Sequence, residues 1–210
     1  MKVFFICLAV MFSVAIGSLA RPAEAQVTVG MSEDLKNFYV AVGEYYRVPQ
    51  REVIFIQERH ISDEEVPVVL AIARKARVAP AAVIDIRLSG KTWAEVTRHF
   101  GQSPEIFYVP VKVKEFKGPP YGKAYGYYKN KPRKAWKEIA LDDEDVINLV
   151  NLNFISVHDG YPPEEVIRMR EQGKKFVVIH NEVRKEKKGQ KEEGKEKHKE
   201  KHKGKGNKED

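Results

Sequence analysis

The chain has a single cysteine, Cys7, inside an apolar run close to the N-terminus. Past that point no disulfide, thiol nucleophile or cysteine-based zinc site can form, so stability must come from a packed core. Long apolar runs are equally scarce. Val3 to Ile16 is the one extended example, and it is shorter than the roughly 20 residues a spanning helix needs. Catalytic signatures are missing too: the chain has no G-x-S-x-G, no phosphate-cradling glycine loop, no H-E-x-x-H and no C-x-x-C. His60, His99, His158 and His180 are scattered. His158 adjoins Asp159 at a turn and reads as a surface residue, and His99 suits the negative end of a helix. Asp63-Glu64-Glu65 and Asp142 to Asp145 stand where helices should begin. Capping and the helix dipole therefore explain them better than calcium, which takes roughly 6 to 8 oxygens from a defined loop. No cofactor and no metal is expected, and the chain reads as non-enzymatic.

Large apolar residues also stop at Val183. Residues 184–210 carry 12 basic and 7 acidic side chains. Such a segment cannot bury enough surface to offset the entropy of ordering, so a disordered tail is expected, with Glu/Lys alternation favouring transient helix. His198 and His202, four apart, are a weak metal pair at most. A second basic stretch, Val111 to Glu138, holds 9 basic against 2 acidic residues. The net charge of +7 thus resides in these two segments, and the rest of the chain is acidic. A basic overall balance says nothing about the surface of the folded part.

The N-terminus does carry a recognisable pattern. Lys2 precedes the apolar run, and Gly17-Ser18-Leu19-Ala20 supplies small residues after it. Residues 1–25 read as a signal peptide, cleaved after Ala25 or after Ala20; the alternative is an N-terminal membrane anchor. An exported protein, periplasmic or extracellular, is expected, with no transmembrane segment in the mature chain.

Internal similarity is the strongest signal in the remainder. Pro80, Val83, Ile84, Arg87, Gly90 and Lys91 align with Pro163, Val166, Ile167, Arg170, Gly173 and Lys174, and Trp93 aligns with Phe176. Each copy is preceded by an acidic cluster and a helical apolar pattern, Val66 to Ala76 in one and Val146 onward in the other. The second copy carries three extra residues before Tyr161. A degenerate copy, Val48 to His60, has Gln57 and His60 in place of the Arg and Gly. The spacing predicts helix, turn, helix in each unit: prolines open the second helix, Gly90 and Gly173 end it, and Trp93 or Phe176 fills the space beyond. Ser62 with Glu65, and Thr92 with Glu95, read as capping boxes. The fold class is mainly α, with helix-turn-helix-like repeat units at 30–101 and 139–183.

Between them, 102–138 reads as a connecting segment. Ser103-Pro104-Glu105 suggests one helical turn, Val109 to Phe116 a short extended piece, and the rest a loop rich in Tyr, Gly and Pro. "WKEI" at Trp136 echoes "WAEV" at Trp93. Lys112, Lys114, Lys117, Tyr121, Lys123, Tyr125, Tyr127, Tyr128, Lys129, Lys131, Arg133 and Lys134 interleave cations with aromatic faces. That pattern suits polyanions: lysines attract phosphates or carboxylates, and tyrosines stack on bases or sugars. The partner classes are an anionic envelope polymer or another envelope protein. Arg87 and Arg170 either bind an anion or pair with acids at a neighbouring helix start.

The pattern V-I-x-[IM]-R-x-x-G-K-x-[WF] resembles predicted exported bacterial proteins to which no activity is attached, so the resemblance brings no site residues. The helix–Gly turn–W-x-E-V order is also similar to helix-turn-helix modules, which would imply nucleic-acid binding by Trp93 to Phe100. Export argues against that partner.

Overall fold

The computed structural model describes residues 30–111 and 128–203. The expected signal peptide and positions 112–127 lie outside the described residues. The protein is mainly helical, and no strand occurs among the described residues. Among the described residues the α-helices with full bounds are α1 (Glu33–Tyr46), α2 (Gln50–Glu58), α3 (Val66–Ala76), α4 (Pro80–Leu88), α5 (Trp93–His99), α6 (Asp143–His158), α7 (Pro163–Glu171) and α8 (Phe176–Lys203). Two 3-10 turns, Pro104–Phe107 and Arg133–Glu138, lie between α5 and α6.

Local chemistry sets most of these boundaries. Ser32 caps α1 by accepting from Leu35 N. Thr92 with Glu95 and Asp142 with Asp145 form reciprocal capping boxes on α5 and α6. The Ser62–Glu65 pair behaves differently. Glu65 does reach back to Ser62 N, but Ser62 Oγ donates to the same carboxylate, and the regular helix starts only at Val66. Pro67, at the second position of α3, has no N–H to continue an earlier turn. Pro80 and Pro163 each open a helix, as the spacing predicts. Pro49 stands one place earlier, as the N-cap of α2.

The helix ends follow a rule of their own. Arg47 and Arg77, thirty residues apart, both have φ 58. After them, Val48 N and Val78 N reach back to Gly43 O and Ala73 O, the long bond of a Schellman cap. Gly90 and Gly173 take positive φ after α4 and α7, and His60 takes φ 61 after α2.

α3 is the hub. Val66, Val68, Val69 and Ile72 are fully buried, and the helix touches α1, α2, α4 and α6. One continuous cluster runs from Phe38 through Val83, Trp93 and Leu149 to Ile179 and Val183. The helices expected at 30–101 and 139–183 therefore share a single core. Each fully buried Val, Ile or Phe in it stabilises the fold by about 1.5–3 kcal/mol.

α8 has a docked base and an exposed continuation. Phe176, Ile179 and Val183 anchor its first turns in the core, and the helix then continues to Lys203 through a stretch read from sequence as a tail without stable structure. Arg184 to Glu192 are exposed throughout. Docked turns supply the nucleus that an isolated charged helix lacks.

Candidate functional site

The two repeated arginines come first, because they were the charged positions with a claim on an anion. Arg87 closes α4 by donating Nη1 to Lys91 O at 2.9 Å. The same guanidinium bonds Glu65 Oε1 and Asp143 Oδ2, both at 2.7 Å, and lies 4.6 Å over the Trp93 ring. Trp93 completes the knot: its indole N–H donates to Glu65 and its backbone N–H to Asp143. Arg170 has a parallel set. It donates to Lys174 O and Asn148 Oδ1, meets Glu64 Oε2 at 3.3 Å, and sits 4.7 Å over Phe176. Phe176 N in turn donates to Glu64 Oε1 at 2.6 Å.

The two knots are crossed. Asp143, from the start of α6, caps α5; Glu64, from just before α3, caps α8. Each half of the chain thus satisfies orphan N–H groups of the other. The arginines are held by acids at helix starts, and their donors are spent there. Glu65 reports the balance: burial pushes its carboxyl up, but hydrogen bonds from Ser62, Trp93 and Arg87 outweigh it and hold it below the ordinary range.

The connecting segment divides in two. Lys112, Lys114, Lys117, Tyr121, Lys123, Tyr125 and Tyr127 lie outside the described residues. Tyr128 is a correction: only 3 % exposed, it donates its hydroxyl to Pro104 O and packs against Tyr108 and Trp136. A ring used in that way cannot stack on a ligand. Burial and nearby carboxylates raise its hydroxyl pKa, so it stays protonated. Trp136 likewise serves structure, donating to Lys131 O from the second 3-10 turn, which is not the α-helix its echo of Trp93 suggests. Lys129, Lys131, Arg133 and Lys134 remain exposed around this aromatic cluster. Arg133 lies 5.5 Å over Trp136 and meets Glu105 at 3.2 Å.

A third cluster escaped the sequence reading. His158 is not a loop residue on the surface; it ends α6, with 17 % of its side chain exposed. Its Nδ1 bonds Asp159 Oδ1 at 2.9 Å, while His180 of α8 bonds Asp159 Oδ2 at 2.8 Å. Glu44 faces His158 Nε2 at 3.4 Å. His180 is fully buried against Phe38 and Phe154, and its Nε2 has no hydrogen-bond partner among the described residues. Lys187 donates to the carbonyls of Asp159 and Gly160. One carboxylate shared by two imidazoles, with Lys187 on the adjoining backbone carbonyls, ties α8 to the end of α6. Twenty-two residues separate His158 from His180, and no local spacing rule links them.

Among the described residues, no group of three or more His, Cys, Asp or Glu is arranged to hold a metal ion, and no helix is long and apolar enough to cross a membrane. No family model, no curated protein and no solved structure matches this chain.

Proposed function

We propose that this chain is an exported, non-catalytic helical-repeat scaffold of the bacterial envelope, which contacts anionic polymers through its basic segments. The repeat reading is supported by the paired Arg knots, by left-handed Arg47 and Arg77 at equal spacing, and by His60 standing in the conformation of Gly90. Export rests on the leader pattern of residues 1–25.

One observation carries the binding part. The recurring arginines are committed to internal acids, and the densest runs of exposed cations lie on the turn from Lys129 to Lys137 and on α8 from Arg184 to Lys191. Charge placed there attracts a polyanion without disturbing the core. A helix-turn-helix reading would use α5, but that helix has Asp143 and Glu95 at its N-terminal end, and carboxylates there repel phosphate.

Changing Lys129, Lys131, Lys134 and Lys137 together to Gln should advance elution of the purified protein from heparin. It should also lower the salt slope of binding by about 3, near 0.7 per lost contact. If wild-type protein is not retained on heparin at low salt, the proposal fails.

A further inference from the structure

A shallow cleft lies between α3, α6 and the first 3-10 turn, partly open to solvent. It follows one turn of α3, from Ala71 to Lys75, and one turn of α6, from Leu149 to Asn153. At 1.5 Å per residue each edge is about 6 Å long. Phe107, Leu149 and Val150 are buried and form an apolar floor, and Ala71 keeps the α3 side low. No Asp or Glu is among the described residues that line it.

The polar groups around this floor are nearly all donors. Tyr46 is 6 % exposed, and its hydroxyl makes no hydrogen bond to a described residue. Burial pushes the pKa of that hydroxyl well above its ordinary value, so it keeps its proton to donate. The Arg74 guanidinium lies 5.1 Å over the Tyr45 ring and 4.8 Å over Tyr46. Its hydrogen bond to Tyr45 O is long, at 3.4 Å. From the opposite edge, Asn153 donates to the Tyr45 hydroxyl at 2.9 Å and so fixes the ring that supports Arg74. Arg87 and Arg170 are spent on internal carboxylates. Among the described residues neither Arg74 nor Lys75 meets one. The guanidinium is thus held in place by aromatic faces while most of its planar fork of N–H donors stays open.

We infer that this cleft binds a small organic acid, with its carboxylate on Arg74, Lys75 and Tyr46 and its short carbon body on Phe107, Leu149 and Val150. A buried phenol, an open guanidinium and an ammonium, with no acid beside them, are complementary to a carboxylate. The floor rewards burial of apolar atoms, which an inorganic anion does not have. Edges of one helical turn leave room for a few carbons and not for an extended chain. The site is separate from the basic segments, so it stands or falls independently of the polyanion reading.

The test uses isovalerate as the probe and isovaleramide, of the same shape without the charge, as its control. In the nitrogen-15-labelled full chain, isovalerate should shift the amide signals of Ala71, Val150 and Asn153 saturably in the low-millimolar range, and isovaleramide should not. Tyr46→Phe removes one oxygen and keeps the ring; Arg74→Met removes the fork. Each should weaken isovalerate about tenfold, the order of a lost hydrogen bond to a charged group, with circular dichroism unchanged. If Arg74→Met does not fold, Tyr46→Phe decides alone. Equal shifts from isovaleramide would leave only an apolar crevice and overturn the proposal. Equal shifts from chloride or phosphate would mean an adventitious ion only, and would overturn it as well. So would wild-type signals that do not move, or an affinity unchanged in Tyr46→Phe.

Discussion

Arg87 shows how one side chain can look functional in sequence and be structural in place. Its guanidinium closes a turn, pairs two carboxylates and covers an indole. Arg87→Met leaves Glu65 and Asp143 half-buried without their cation. We expect a loss of about 2–3 kcal/mol in urea unfolding, and a smaller loss for Arg87→Lys, which keeps the charge but not the planar fork. The same knot predicts a pH dependence. A carboxyl held below its ordinary 4.5 binds fewer protons folded than unfolded. Its contribution is complete above 4.5 and is lost as pH falls through the depressed value. Stability should therefore drop below about pH 4.5, and less steeply in Arg87→Met. His60 offers the opposite test. It is exposed and left-handed where the other copies have glycine, a conformation that costs an L-residue about 1–2 kcal/mol. His60→Gly should raise the midpoint of thermal unfolding, offset in part by the greater freedom of unfolded glycine.

At the scale of the element, the crossed caps matter most. Glu64→Ala removes the acceptor for Phe176 N and the partner of Arg170. We expect a loss of about 1–2 kcal/mol and faster amide exchange in the first turn of α8, with α4 unaffected. Here the reach of the sequence is clear. Prolines at helix starts, glycines after α4 and α7, and the Thr92 box are local signals, and each lies within four residues of what it determines. The start of α3 was harder to place, because Pro67 and a shared carboxylate compete with the expected box. The His158–Asp159–His180 joint was not legible, since its partners meet only after α8 folds back on α6. Tyr128 was misjudged for the same reason: composition makes it a stacking surface, and packing against Pro104 and Trp136 makes it core. The helical run beyond Val183 depends on docking of the preceding turns, which composition does not express.

The whole molecule has one core and two crossed seams, so its halves should not melt separately. With Trp136→Phe in place, fluorescence of Trp93 reports one seam, because that ring is fully buried between Glu65, Arg87 and α6. Its unfolding curve in urea should coincide with the loss of helix by circular dichroism. An earlier fluorescence transition would mean that the halves part before the helices unwind. The crossed seam also has a cost in time. Glu64 waits for Phe176, 112 positions later in the chain, to arrive. At a synthesis rate of about 5–20 residues per second, that interval lasts roughly 6–22 s. For most of it, until α6 (Asp143–His158) has followed, the apolar side of α3 that will meet α6 stays uncovered. A nascent chain should therefore gain from shielding of this segment, and the Glu64–Phe176 cap closes only after Phe176 has emerged.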